Sequence, residues 1–241
     1  MKDYRTRYSR RSLLLLPVRK WLRFAYLLGF SSYKQIFRTK RYFVFQGETY
    51  QYFIHPFNTT WVNERTVEIP IVYHRIVKYP SRDVLEVGNV LSHYFPIKHT
   101  IIDKYESGEG IVMADAVEYN SKNYYKMIAS ISTIEHIGCD EGPREPGKHR
   151  RAIAHIRELL AVGGTFIATF PLGYNLEMDN DLANGRLGFD EYYFLKRVGR
   201  EEWEETKYED VRTIHYGSPF PAANALVIGI IRLGGPGFSS I

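Results

Sequence analysis

Three carboxylates in this 241-residue chain each stand at or next to the end of a short apolar run. Val84-Leu85-Glu86-Val87-Gly88-Asn89 places an acid near the end of its apolar run and a glycine in the turn that follows. The glycine admits close approach of the backbone to a ligand, and Glu86 is placed to hold an ammonium or to order the loop. Asp103 closes Ile101-Ile102, 17 residues after Glu86. A carboxylate at such a strand end can accept both hydroxyls of a ribose. Asp115, in Met113-Ala114-Asp115-Ala116, is a third acid, placed to accept from an adenine amino group. A fourth run leads into Ser132-Thr133-Ile134-Glu135-His136. Histidine as a residue type titrates near neutrality and an adjacent acid can orient it, so Glu135-His136 is a pair suited to act as general base for a hydroxyl nucleophile. The same residues would equally open a helix, with Ser132 or Thr133 as its cap.

These side chains need elements that bring them together. Strands are expected at Asp83–Val87, Thr100–Asp103, Ile111–Met113, Lys126–Ile131, Thr165–Phe170 and Leu226–Arg232. A helix is expected over about Arg144–Leu160, where Ile153, Ile156, Leu159 and Leu160 form an apolar stripe and Gly163-Gly164 stops the chain. Apolar strands alternating with helices predict an α/β fold, a doubly wound and mostly parallel sheet covered on both faces. In such a sheet, ligands bind beyond the carboxyl ends of the strands. Upstream, Tyr42–Ile54 predicts a hairpin turning at Gln46-Gly47-Glu48, and 62–78 a helix that Pro70 kinks or opens.

The order LEVGN, IIDKYE, MADAVEY, MIASISTIEHIG and LLAVGGTFIATFPLGYN resembles that of class I S-adenosylmethionine-dependent methyltransferases over roughly residues 80–235. The resemblance implies a seven-stranded sheet whose last strand, Leu226–Arg232, is antiparallel. It implies S-adenosyl-L-methionine as cofactor, its methionine part held at Glu86, Gly88 and Asn89. Asp103 would then take the ribose, Asp115 and Ala116 the adenine, and Ser132 through His136 would border cofactor and acceptor. Arg65 and Glu64 either clamp the cofactor's carboxylate or form a solvated pair. Tyr174 and Asn175, after the fifth strand, are expected at the acceptor's side of the site. Of the family's usual glycine-rich turn, only Gly88 is present here.

Charge sorts the remaining possibilities. Residues 1–45 carry 12 Lys/Arg and one acid, a balance of +11, while the rest carries −6, giving +5 in all. A basic arm on an acidic body is unlike an evenly basic nucleic-acid module, so nucleic acid is not the expected partner. Within the arm, Val18, Trp21, Leu22, Ala25 and Leu28 recur at helical spacing beside Arg19, Lys20 and Arg23. This predicts an amphipathic helix over 13–30 that either packs on the body or docks on an anionic membrane surface. Charges interrupt that stretch too often for a membrane span, and no cleavage pattern follows it, so a cytoplasmic protein is expected, at a membrane surface if the arm docks. The single cysteine, Cys139, excludes a disulfide framework, and no established metal-ligand spacing is present. The expected organisation is an arm at 1–41, a hairpin and helix at 42–80, and the main domain at 81–241. The expected activity is methyl transfer to an oxygen or nitrogen of a small-molecule, glycan or lipid-linked acceptor. Two rivals are a methyltransferase-like binding module without catalysis, and a nicotinamide-dependent oxidoreductase, for which G-x-G-x-x-G is lacking.

Overall fold

The computed structural model describes residues 41–234 and the isolated Gly29; the arm helix expected over 13–30 lies outside the described residues. Tyr42–Phe45 (β1) and Glu48–Gln51 (β2) form the expected antiparallel hairpin. Its two turn residues, Gln46 and Gly47, have φ of 52° and 74°, the left-handed pair that matches the twist of the strands. Arg65–Ile76 (α1) follows, and of the two expectations for Pro70 the first-turn one fails, because it sits in mid-helix. Proline there strips the Thr66 carbonyl of its helical partner. The Phe53 N–H, leaving the hairpin, donates to that carbonyl at 2.9 Å.

The main sheet has eight strands among the described residues, one more than expected. They are Val84–Val87 (β3), Thr100–Asp103 (β4), Ile111–Met113 (β5), Tyr125–Ile131 (β6), Leu160–Pro171 (β7), Glu191–Gly199 (β8), Glu202–Thr206 (β9) and Ala225–Arg232 (β10). Their spatial order is β5-β4-β3-β6-β7-β10-β8-β9. From β5 to β7 the pairings are parallel, whereas β10 runs antiparallel to both β7 and β8, and β9 antiparallel to β8. The C-terminal strand is thus antiparallel as expected.

Side chains of period two divide the core into two layers. On one face Leu85, Ile128, Phe166 and Val227 pack with Ile153 and Ile156 of Lys148–Glu158 (α2) and Met178 of Leu176–Ala183 (α3). On the other, Val84, Met127, Ile167 and Ile228 pack with Val67 and Ile71 of α1 and with Phe43 and Phe45 of the hairpin. Helix α2 is shorter than expected, because Gly147, at φ 73°, delays its start. Gly163-Gly164 stops no helix. The pair lies inside β7, where the register shifts opposite Tyr125 and Met127, and a Cβ on Gly164 would lie 2.8 Å from the Tyr125 and Ala161 carbonyl oxygens. The glycines make a bulge, one of the two common uses of glycine in strands.

Candidate active site

From β3 the chain steps outward to β4 and β5, and then returns to β6 on the other flank of β3. Loops leaving β3 and β6 therefore diverge and open a crevice, the place where open α/β sheets bind ligands. A cavity of about 370 Å³ lies there, against the 300–1,000 Å³ usual for small-molecule sites. Its walls include Gly88, Asn89, Asp103, Asp115, Ala116 and His136. Six residues expected from the sequence to share a site thus meet around one space.

Gly88 packs so tightly that only glycine fits. Its φ is 88°, and a Cβ would fall 2.2 Å from Thr133 Oγ1, across the gap between the β3 and β6 loops. Glu86 lies beneath this loop, fully buried, and does not line the cavity. Its Oε1 accepts from the Val90 and Leu91 N–H groups at 3.0 and 2.8 Å, and its Oε2 lies 2.9 Å from His99 Nε2. Of the two roles open to Glu86, the structure shows loop ordering. Asp103 also holds loops. Its Oδ1 accepts from Tyr105 and Glu106 N–H, each at 2.8 Å, and its Oδ2 from Asn89 N–H at 2.9 Å.

Asp115 has a different setting from the one expected. Its Oδ2 lies 2.6 Å from Lys148 Nζ and 2.9 Å from Lys104 Nζ, and both ammonium groups also reach Glu141. Burial works against the carboxylate, but the hydrogen bonds from Lys148 and Lys104 bring it down to about 2. Asp115 already carries two charged partners, Lys104 and Lys148, which no local pattern foretells.

Behind the loop that follows β6, and outside the cavity's lining, lie Ser132 and the first turn of α1. Ser132, the residue after β6, has φ 38°, an uncommon conformation for a residue with a side chain and one that clusters at functional sites. Its hydroxyl donates to buried Glu68 Oε1, and Glu68 Oε2 pairs with Arg65 Nη1 at 3.1 Å. Arg65 also donates to the Ile131 carbonyl at 3.0 Å. It is no solvated pair with Glu64, whose Oε2 instead accepts from Ala223 N–H at 3.1 Å.

His136 lines the cavity, and its orienting partner is not the expected one. Nδ1 meets Asp140 Oδ2 in a close hydrogen bond, while Nε2 lies 3.7 Å from Glu135 Oε1. Tyr174 Oη donates to the same Asp140 oxygen at 2.7 Å, and its ring stands edge-on to His136 at 4.8 Å. Burial raises Asp140, but the His136 and Tyr174 hydrogen bonds outweigh it and hold the carboxyl below its ordinary range. The four-residue interval from His136 to Asp140 is the signal that could have revealed this pair. Glu135 is buried, and burial holds its carboxyl well above the ordinary range. Asn175, expected at the rim, is buried instead; its Oδ1 caps α3 at the Glu177 and Met178 N–H groups, and its Nδ2 donates to the Glu135 carbonyl.

Among the described residues, His149, Glu177 and Asp181 bring three potential metal-ligand atoms within 4.8 Å. Asp181 is already paired with His149, Arg150 and Arg186, so the group is satisfied by cations of the chain itself.

No protein-family model and no curated protein matches the chain. Solved structures do. The N-methyltransferase NodS from Bradyrhizobium japonicum, in complex with S-adenosyl-L-homocysteine, is 10% identical with a TM-score of 0.42, over 72% of this chain and 94% of that one. An rRNA methylase from Streptococcus thermophilus is 13% identical with a TM-score of 0.41, over 69% and 96%. A methyltransferase from Thermotoga maritima, described as a possible histamine N-methyltransferase, is 15% identical with a TM-score of 0.39, over 68% and 88%. The solved structures to which this chain is similar include many S-adenosylmethionine-dependent methyltransferases.

Proposed function

We propose that the chain is an S-adenosylmethionine-dependent methyltransferase acting on an oxygen or nitrogen nucleophile of a small-molecule or glycan-type acceptor. The observation that carries this reading is Asp103. It is a carboxylate at the end of the strand next to β3, facing the cavity at the switch point, beside a glycine turn.

The residues suit that cofactor. A carboxylate has about four acceptor positions, and Asp103 spends three on backbone N–H groups, which leaves one for a ribose hydroxyl. Ile102, Ala116 and Ile137 give the cavity apolar walls for a purine face. Asp115, neutralised by two lysines, is a weaker acceptor for the adenine amino group than a free carboxylate, so the Ala116 wall carries more of that contact. Gly88 and Asn89 bring backbone close to the methionine part, with Ser132 and Arg65 behind the loop after β6, outside the cavity's lining. When bound, the cofactor supplies a methyl group on a positively charged sulfur, which departs as a neutral thioether.

The chain's own part is alignment and proton removal. Ionised Asp140 can only accept, so His136 Nδ1 must carry the proton, and Nε2 is left as the basic nitrogen. That nitrogen takes the acceptor's proton, and Tyr174 steadies both the ring and Asp140. The basic segment 13–30 is part of this reading as a peripheral contact with an anionic membrane that holds a lipid-linked acceptor; its support is the charge of residues 1–45.

Amide-resolved NMR tests the assignment. Adding S-adenosylhomocysteine should shift the Gly88, Asn89, Tyr105 and Ala116 amides before others. Shifts confined to the opposite end of the sheet would exclude it.

A further inference from the structure

The site contains more buried acid than the fold needs. Glu64, Glu68 and Glu135 are all at least nine-tenths buried around a single cation, Arg65. Two of them are accounted for, since Glu64 holds the Ala223 N–H and Glu68 holds Arg65 and the Ser132 hydroxyl. Glu135 is not. It is 1% exposed, and its Oε2 has no hydrogen-bond partner. Its other oxygen lies 3.7 Å from Nε2 of His136, a side chain that lines the cavity, so the Glu135 carboxyl is one side chain removed from the cavity wall. A buried polar atom without a partner calls for a reason, and a ligand that completes it is one such reason.

Aromatic rings flank the same corner. The Tyr174 ring stands edge-on to His136, and the Tyr216 ring edge-on to Tyr174 at 5.1 Å. The Tyr216 hydroxyl is raised to about 12 by burial and by the fields of Glu64, Glu135 and Glu68. Tyrosine faces and uncompensated carboxylates attract the same kind of group, a cation.

We infer that the acceptor is a cationic amine, its ammonium group donating to Glu135 Oε2 beneath Tyr174 and Tyr216. This rests on the methyltransferase reading and names its substrate class. An alcohol brings no charge to balance an ionised Glu135, and an anion would meet three buried acids against one guanidinium already engaged by Glu68. The ammonium gives its surplus proton to His136 Nε2, which becomes imidazolium, and the nitrogen keeps the electron pair as a neutral, nucleophilic amine. Glu135 is then a binding residue, and His136 the base.

Calorimetry on the full chain saturated with S-adenosylhomocysteine tests the inference, with benzylamine, benzyl alcohol and benzoate as probes. Benzylamine should bind at least about tenfold more tightly than either analogue, the scale of one buried charged contact. Glu135→Gln should reduce that preference to about threefold or less while keeping affinity for S-adenosylhomocysteine within about twofold. Equal binding of the alcohol, tighter binding of benzoate, no binding of any probe, or an unchanged preference in Glu135→Gln would each overturn it. If circular dichroism shows Glu135→Gln unfolded, carboxyl ¹³C NMR of the unmodified chain decides instead. Benzylamine must then lower the titration midpoint of one high-titrating glutamate, and no change would count against the inference. Amine preference without S-adenosylhomocysteine binding would sink the methyltransferase reading and leave an amine site; the reverse result would sink only the amine.

Discussion

Asp103 and His136 are the two residues on which the chemistry turns; Asp103→Asn also sets an NH2 against one of the N–H donors that Asp103 holds, so its folding is checked by circular dichroism alongside binding. Asp103→Asn keeps one acceptor oxygen but loses the charge that three backbone N–H groups and a ribose hydroxyl share. Affinity for S-adenosylhomocysteine should fall by about 1.5–3 kcal/mol, the scale of charge-assisted hydrogen bonds. A folded variant that binds as tightly as the unmodified chain would remove the ribose assignment. His136→Gln should lower turnover by roughly 10²–10⁴ with cofactor affinity unchanged, since only proton removal is lost. A loss of a few-fold would return Glu135 and His136 to the structural role that their position after β6 also allows. At this scale the sequence was informative about position and poor about partners. Strand ends were visible as apolar runs closing on acids, so Gly88, Asp103, Asp115 and His136 could be placed around one crevice. What each carboxylate binds depends on residues distant in the chain. Lys148, which claims Asp115, is 33 positions away, and no local pattern marks it.

Between elements, the salt-bridge cluster fastens the loop after β5 to α2. Lys104, Lys148, Asp115 and Glu141 form it, with two cations and two acids in mutual contact. Asp115 is held at about 2, below its ordinary value. Its contribution to stability is therefore complete above about pH 4, and is lost as the pH falls through about 2. Urea unfolding between about pH 5 and pH 2 should show Asp115→Asn losing less stability than the unmodified chain, by about 1–2 kcal/mol. Parallel pH slopes for the two proteins would contradict that account of the cluster. The elements themselves were mostly legible, since hydrophobic periodicity located six strands, the hairpin and both long helices. The Gly163-Gly164 stop and the first-turn alternative for Pro70 failed for one cause: proline and glycine report local backbone limits, whereas the fold can supply a remedy from afar. Pro70 is tolerated in α1 because Phe53, outside the helix, satisfies the Thr66 carbonyl. Gly163-Gly164 serves β7 against β6 rather than the end of α2. The outer strands β8 and β9 were not singled out. Glu191–Gly199 mixes charged, aromatic and apolar residues, because only part of its surface is covered.

Across the whole molecule, charge is divided between a basic N-terminal stretch and an acidic remainder. No helix among the described residues is long and apolar enough to cross a membrane. If residues 13–30 dock on anionic lipid, each lysine or arginine near the surface contributes about 1 kcal/mol, screened by salt. Co-sedimentation with phosphatidylserine-containing vesicles should fall steeply with salt and disappear when residues 1–30 are removed. Binding that survives the deletion would refute the arm's role, as would a truncated chain that no longer folds. The central claim is that the crevice at the β3–β6 switch point holds S-adenosylmethionine, and titration calorimetry of the full chain tests it most directly. S-adenosylhomocysteine should bind at one site per chain, in the micromolar range or tighter, about −8 kcal/mol, and NAD should give no saturable heat. Saturable binding of NAD with none of S-adenosylhomocysteine would contradict the account in favour of an oxidoreductase, and binding of neither would leave a methyltransferase-like fold without the cofactor.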